Sequence, residues 1–215
     1  MKDAELRHGR PRGIFSQMDE DFVLLRHFDT FGVRMGKFLD IGAYDGEYLS
    51  NTRALAMRGW EGVSVEAAPQ CYAELVKLYP EKQKAVQCVH AAITVEQAGE
   101  IELFESTDPV STTETKNRDR FAYLTPFNAV KVPAMPIADL LKAYPGPYDL
   151  ISIDTEGTSV DLAFLVPLEV VTDAGVVCVE QDTLLDDMIE GMEKNGFKLL
   201  HENGLNALFV KATLS

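Results

Sequence analysis

The chain has 215 residues, 46% of them hydrophobic and 25% charged, which suits one globular domain with its own core and excludes a disordered chain. A formal net charge of −14 lacks the basic face that a phosphate backbone requires, so nucleic acid is not expected as a partner. No apolar run reaches the length of a membrane span, no signal-peptide pattern opens the chain, and Cys71, Cys88 and Cys178 show neither metal spacing nor a disulfide framework, so a cytoplasmic protein with reduced thiols is expected.

Residues 1–15 read as a flexible arm, mildly basic through Arg7, Arg10 and Arg12, and residues 16–215 as a single domain. Ser16 followed by Asp19 resembles a capping box, and Phe22, Val23, Leu25 and Phe28 then give a short amphipathic helix. Lys37–Ile41 reads as a buried strand that runs into a glycine turn, Gly42–Gly46. A helix is expected from Asp45 or Glu47 to about Met57, stopped by Gly59. Gly62–Glu66 is a second strand, Pro69 opens a second helix of this series, and Ala85–Thr94 is a third strand. Glu100–Ser106 can pair with the segment before it. Asp108–Asn128 is polar and irregular, long enough to be a functional loop or lid, with Phe121, Tyr123, Leu124 and Phe127 shaping an acceptor pocket. Tyr148–Asp154 and Ala174–Glu180 are near-continuous apolar strands of the kind covered on both faces, and Phe197–Val210 holds Asn203-Gly204 between two apolar runs, the signature of a hairpin. Strands alternating with helices make an α/β three-layer sandwich around a mostly parallel sheet.

In such a sheet ligands bind beyond the carboxyl ends of the strands. Four of the expected strands end there in acids: Asp40, Glu66, Asp154 and Glu180. Glu66 follows Gly46 by twenty positions (66 − 46), a spacing that suits a carboxylate accepting the two hydroxyls of a ribose. The turn between Gly42 and Gly46 lacks the G-x-G-x-x-G pattern through which a backbone approaches a pyrophosphate, and it is flanked by Asp40 and Asp45. Acids are poor neighbours for a pyrophosphate and good ones for the ammonium and sulfonium of S-adenosylmethionine. Asp45 also suits an N-cap. The strands ending in Asp154 and Glu180 are expected to be neighbours about 4.8 Å apart, so their carboxylates repel, which favours a general base or invites a cation.

The stretch "DIGAYDGEYLSNT" is similar to the cofactor motif of the FkbM family of class I S-adenosylmethionine-dependent methyltransferases, and the likeness continues in "SQMDED", "GWEGVSVEAAP", "AAIT", "DLISIDTEGTSVDL", "VVCVEQD" and "NGLNALFV". Where members often carry a second acid after the "EG" pair, this chain has Thr158-Ser159-Val160. The resemblance implies a Rossmann-like, seven-stranded sheet with a C-terminal antiparallel hairpin. It also implies S-adenosylmethionine as cofactor and O-methylation of a hydroxyl on a sugar or other small metabolite. Cofactor binding falls to Asp40, Gly42, Ala43, Asp45, Gly46, Glu66, Ala91, Ala92, Ser111 and Asp154, with Asn51 and Thr52 added by the resemblance alone; Asp154, Glu156 and Glu180 are the catalytic candidates. No metal ion is assigned. The alternatives are a nucleotide-linked oxidoreductase on the same sheet and a domain that binds cofactor without transferring anything.

Overall fold

Alternation by two along the central strands sorts their side chains onto two faces, and both faces are apolar enough to need a helical cover. The computed structural model describes residues 13–81 and 85–213; the basic arm expected around Arg7, Arg10 and Arg12 lies outside them. The strands are β1 (Lys37–Ile41), β2 (Glu61–Glu66), β3 (Val86–His90), β4 (Ala92–Thr94), β5 (Gly99–Glu105), β6 (Asn128–Pro136), β7 (Tyr148–Ile153), β8 (Val171–Glu180), β9 (Phe197–Glu202) and β10 (Asn206–Lys211). The helices are α1 (Glu20–Thr30), α2 (Arg53–Met57), α3 (Pro69–Leu78), α4 (Thr115–Phe121), α5 (Ile137–Ala143), α6 (Ser159–Ala163) and α7 (Leu185–Lys194).

The main sheet has seven strands in the order β3-β2-β1-β7-β8-β10-β9, parallel from β3 to β8, with β10 antiparallel to both of its neighbours. Leu39 and Ile41 of β1, Ile151 and Ile153 of β7 and Val177 and Val179 of β8 pack on Ile137 and Leu140 of α5, Leu162 of α6 and Met188 and Met192 of α7. On the other face Phe38, Leu150, Val176, Cys178 and Leu208 pack on Leu24 and Phe28 of α1, Leu55 of α2 and Leu75 of α3. The expected three-layer α/β architecture with its C-terminal hairpin is the one observed. Among the described residues no helix is long and apolar enough to cross a membrane.

Several expected elements differ. The helix expected from Asp45 begins only at Arg53, because Gly42, Tyr44, Gly46 and Leu49 all have positive φ, which a right-handed helix cannot accommodate. The strand expected over Ala85–Thr94 divides at Ala91, whose N–H bonds the Glu66 carbonyl at 3.1 Å. Beyond it β4 joins a separate three-stranded sheet of order β4-β6-β5. Glu100–Ser106 therefore pairs with β6 and not with the segment before it. Pro133 and Pro136 hide β6 from sequence reading, since proline removes a ladder donor. The Asp108–Asn128 stretch contains α4, a short helix with no buried residue.

Phe38 is fully buried, and its ring lies against Gly62, where a Cβ would come within 2.3 Å of it. Phe38→Ala is expected to destabilise the fold by about 3–5 kcal/mol, read as a lower midpoint of urea unfolding. An unchanged midpoint would show that this face of the sheet contributes little.

Candidate functional site

Beyond the carboxyl ends of β1, β2, β7 and β8 and the amino end of the antiparallel β10 lies a cavity of about 470 Å³, covered by residues from 109–121. Its floor is fixed at Gly42, with φ +86°, where a Cβ would stand 1.6 Å from the carbonyl oxygen of Asp154. Only glycine lets the two strand ends meet this closely. The Gly42 and Ala43 N–H groups both reach the Val65 carbonyl at 3.0 Å, which turns the chain sharply over the end of β2.

Asp40 follows Phe38 on the same face of β1, is 4% exposed, and accepts the Thr52 hydroxyl at 2.6 Å. Burial pushes its carboxyl up to about 6, against the pull of the Thr52 and Ser152 hydroxyls. Glu66 ends β2; its Oε2 accepts the Tyr44 N–H and its Oε1 the Ala68 N–H, each at 2.7 Å. Burial raises it to about 7, outweighing those backbone donors, with a smaller push from the charge of Asp40. Asn51 donates through Nδ2 toward Ser152 Oγ at 3.4 Å, while its Oδ1 is buried without a donor.

Asp154, Glu156 and Glu180 converge, one carboxylate oxygen from each lying within 4.8 Å of the others. Glu156 has φ +54°, and its carbonyl accepts Thr112 Oγ1 at 2.7 Å and the Asn117 amide, so the covering segment is docked onto this turn. Glu180 Oε2 accepts the Glu156 N–H at 3.0 Å and the Ser159 hydroxyl at 2.7 Å. Burial first, then the charges of Glu180 and Glu156, hold Asp154 well above the ordinary carboxylate range. Burial and the Glu180 charge raise Glu156 to about 8.

Of the residues expected from sequence, Asp40, Gly42, Ala43, Asn51, Glu66, Ala91, Ala92, Ser111, Asp154, Glu156 and Glu180 all line this cavity. Three do not. Gly46 faces Leu75, Leu78 and Tyr79, so its small size serves packing under α3. Asp45 Oδ1 accepts the N–H groups of Glu47 and Tyr48 at 2.9 and 2.7 Å, closing a local Asx turn rather than capping a helix. Thr52 stands behind Asp40 and bonds to it. From the aromatic set of the covering segment, Phe121 lines the cavity, whereas Tyr123 and Leu124 are 80% and 61% exposed and Phe127 lies outside the lining. The chain is turned there by buried Thr125, whose hydroxyl bonds Ser106 at 2.9 Å.

Sequence reading missed Gln17, Asn117, Arg120 and Asn206, which also line the cavity. Asn206 belongs to "NGLNALFV", where the sequence shows only a hairpin. Among the described residues the histidines are held structurally: His27 Nε2 bonds the Ala174 carbonyl at 2.8 Å, His90 Nε2 the Ala67 carbonyl at 3.0 Å, and His201 pairs with Asp19 at 3.0 Å. The cysteines are unpaired, and burial pushes Cys71 up to about 12 and Cys88 up to about 11, far from a reactive thiolate.

A parallel sheet with an antiparallel penultimate strand, and a glycine turn between buried carboxylates at its carboxyl edge, define a Rossmann-like methyltransferase fold. Solved structures share it at low identity. A TehB-like SAM-dependent methyltransferase from Corynebacterium glutamicum is 14% identical with a TM-score of 0.52, covering 98% of this chain and 93% of that one. The S-adenosylhomocysteine-bound methyltransferase PaMTH1 from Podospora anserina is 12% identical with a TM-score of 0.52, covering 98% and 85%. A precorrin-6y C5,15-methyltransferase from Geobacter metallireducens is 14% identical with a TM-score of 0.50, covering 93% and 89%. No curated protein matches the chain by sequence. The methyltransferase FkbM domain matches residues 40–199. The chain belongs to that family of methyltransferases, and its cofactor is S-adenosylmethionine.

Asp40 and Glu66 hold their protons more tightly in the folded chain than at their ordinary values of 3.8 and 4.5. A raised folded value places their stabilising contribution at low pH, complete below about pH 4 and lost as pH rises through about 6 and 7. The ligand-free protein is therefore expected to lose thermal stability across that window. Glu66→Gln should flatten its upper part, near pH 7. Identical pH profiles for the two proteins in calorimetric melts would show that Glu66 is ionised at no cost.

Proposed function

We propose that the protein transfers a methyl group to a hydroxyl oxygen of a sugar or other small metabolite. The observation that carries this reading is the trio Asp154, Glu156 and Glu180 in the wall of the cavity that Asp40 and Glu66 also line. An alcohol sheds its proton as it attacks carbon, and a carboxylate within reach can take it.

The residues present fit the cofactor. Asn51 offers a buried amide oxygen with no donor, Asp40 a carboxylate, and Gly42 a backbone that leaves no room for a side chain. Asp40 and Asn51 would hold the ammonium, with Ser111 and Asp154 toward the methionine end. Glu66 would accept the ribose hydroxyls on the lone pairs that the Tyr44 and Ala68 N–H groups leave free. Ala91 and Ala92, both small and buried, would border the adenine. S-adenosylmethionine supplies a methyl carbon made electrophilic by its sulfonium.

The chain's own work is alignment, exclusion of water and acceptance of one proton. The covering segment, docked on the Glu156 carbonyl through Thr112 and Asn117, closes the cavity above the acids. Glu180 is fixed by two donors on one oxygen, which leaves Asp154 and Glu156 to receive the hydroxyl proton. The Ser159 hydroxyl, at the place where a second family acid is often found, serves this anchoring of Glu180.

Calorimetric titration with S-adenosylhomocysteine tests the binding assignments. Asp40→Ala and Glu66→Ala are each expected to weaken binding by about tenfold or more, the value of a lost charge-assisted hydrogen bond of roughly 1.5–3 kcal/mol. Unchanged affinity in a folded Glu66→Ala protein would remove it from the ribose site. A screen of sugars, other alcohols and amines, read by S-adenosylhomocysteine release, tests the reaction. Asp154→Asn and Glu156→Gln are expected to include a variant slowed by about 100-fold or more that still binds S-adenosylhomocysteine. Turnover of amines alone, or full activity in both variants, would overturn hydroxyl transfer.

A further inference from the structure

We infer that Asp154, Glu156, Glu180 and the side-chain oxygen of Asn206 form a binding site for a hard divalent cation of the magnesium or manganese type. The three carboxylates offer oxygens within 4.8 Å of one another. Oxygens bound to one magnesium ion at about 2.0–2.1 Å can be no more than about 4.2 Å apart, so only a small side-chain adjustment is needed to bring all three onto one ion.

Acidic clusters occur without ions, and Asn206 is the separate observation that points to one. It lies opposite Glu180 in the β8/β10 register, so the two side chains project from the same face, and both line the cavity. Asn206 is 4% exposed. Its Nδ2 donates to Glu20 Oε1 at 2.7 Å, which fixes the amide so that no flip can exchange its ends. The remaining end, Oδ1, is buried with no donor. A neutral oxygen left without a hydrogen bond, on the residue opposite Glu180, lacks a donor or a cation rather than another acceptor.

Arg120 on α4 is the only lysine or arginine among the described residues around the cavity; its charge acts on Glu156, but it makes no hydrogen bond or ion pair with any of the three acids or with Asn206, so their oxygens keep no direct cationic partner. The donor set is all oxygen, without imidazole or thiolate. That combination favours magnesium, manganese or calcium over zinc or copper. Asn51 and Gln181 are the other lining amides with an orphan oxygen: Gln181 directly follows Glu180, whereas Asn51 sits beside Ser152, next to Asp40 in the β1/β7 register, and is the cofactor's neighbour instead.

The test is titration of the chelator-treated full chain with Mn²⁺, followed by electron paramagnetic resonance, with no methyl donor or acceptor present. Saturable binding that Mg²⁺ displaces is expected. Asp154→Asn and Glu180→Gln should each weaken it by at least about tenfold, and Asn206→Ala should weaken it too. Circular dichroism on each variant, with S-adenosylhomocysteine titration on Glu180→Gln and Asn206→Ala, separates loss of a ligand from loss of the fold. Absence of saturable Mn²⁺ binding by the wild-type chain, or equal binding in folded Asp154→Asn and Glu180→Gln proteins, would overturn the site and leave water or a shared proton to fill it. Since the titration uses neither donor nor acceptor, its failure leaves the methyl-transfer reading standing.

Discussion

Where β1 ends, Gly42 presses against the carbonyl of Asp154 at a separation that excludes any side chain, and the Asp154 N–H bonds the Ile41 carbonyl at 2.8 Å. This contact brings the two strand ends together at the point where the parallel sheet is open to ligands. It puts Asp40, two residues before the glycine, and Asp154 on the wall of one cavity. It also carries the chain over β2 so that the Tyr44 N–H meets Glu66. The buried Asp40 and Glu66 and the part-buried Asp154 thus depend on one backbone approach, and the positive φ values that follow it delay the helix until Arg53. The glycine acts less as a flexible turn than as the absence of a side chain.

The placement of the acids follows from the same alternation that builds the core. Phe38 and Asp40, Leu150 and Ser152, Val176, Cys178 and Glu180, and Asn206 and Leu208 project from one face of their strands. Apolar residues lie toward the middle of the sheet and polar ones at its carboxyl edge. Each strand turns polar on the same face at the same end. Burying several carboxylates this way is unfavourable, and the raised values of Asp40, Glu66 and Glu156 record it. A ligand that carries positive charge and hydroxyl groups relieves that penalty, which links an unstable apo edge to recognition.

This explains what could be read in advance. The terminal acids Asp40, Glu66, Asp154 and Glu180 interrupt apolar runs, and a charge in a buried run is visible in a linear string. Gly42 and the hairpin at Asn203-Gly204 are equally local signals. What could not be read depends on contacts across the sequence. The division of Ala85–Thr94 at Ala91 is decided by which strand each half meets, and nothing in "AVQCVHAAIT" marks it. β6 contains two prolines and pairs with both β4 and β5, so local preference argued against a strand that tertiary pairing nonetheless makes. Gly46, Asp45 and Thr52 share the motif of the cavity-lining residues and still point away from the cavity, because a turn with four left-handed residues does not present successive side chains to one side.

The wall farthest from Glu66 is built from the two ends of the domain. Glu20 is fully buried at the start of α1 and accepts the side-chain amides of Asn203 and Asn206 at 2.9 and 2.7 Å and the Met18 N–H at 2.9 Å. Asp19 accepts Asn203 at 2.9 Å and pairs with His201 at 3.0 Å. Asp21 in turn accepts the N–H groups of Phe15 and Ser16, which closes the segment on itself. The polar run "SQMDED" is thus a clamp that locks the β9–β10 turn to α1 and fixes Gln17 and Asn206 at the cavity. A buried network of this kind has to be satisfied completely, since a missing partner leaves a charge or amide stranded in a low-dielectric interior. It leaves two oxygens without a partner, Asp21 Oδ1 and Asn206 Oδ1, and Asn206 lies opposite Glu180 in the β8/β10 register. The clamp therefore does more than join α1 to the hairpin: by taking the amide nitrogen, it fixes which end of Asn206 is left without a partner.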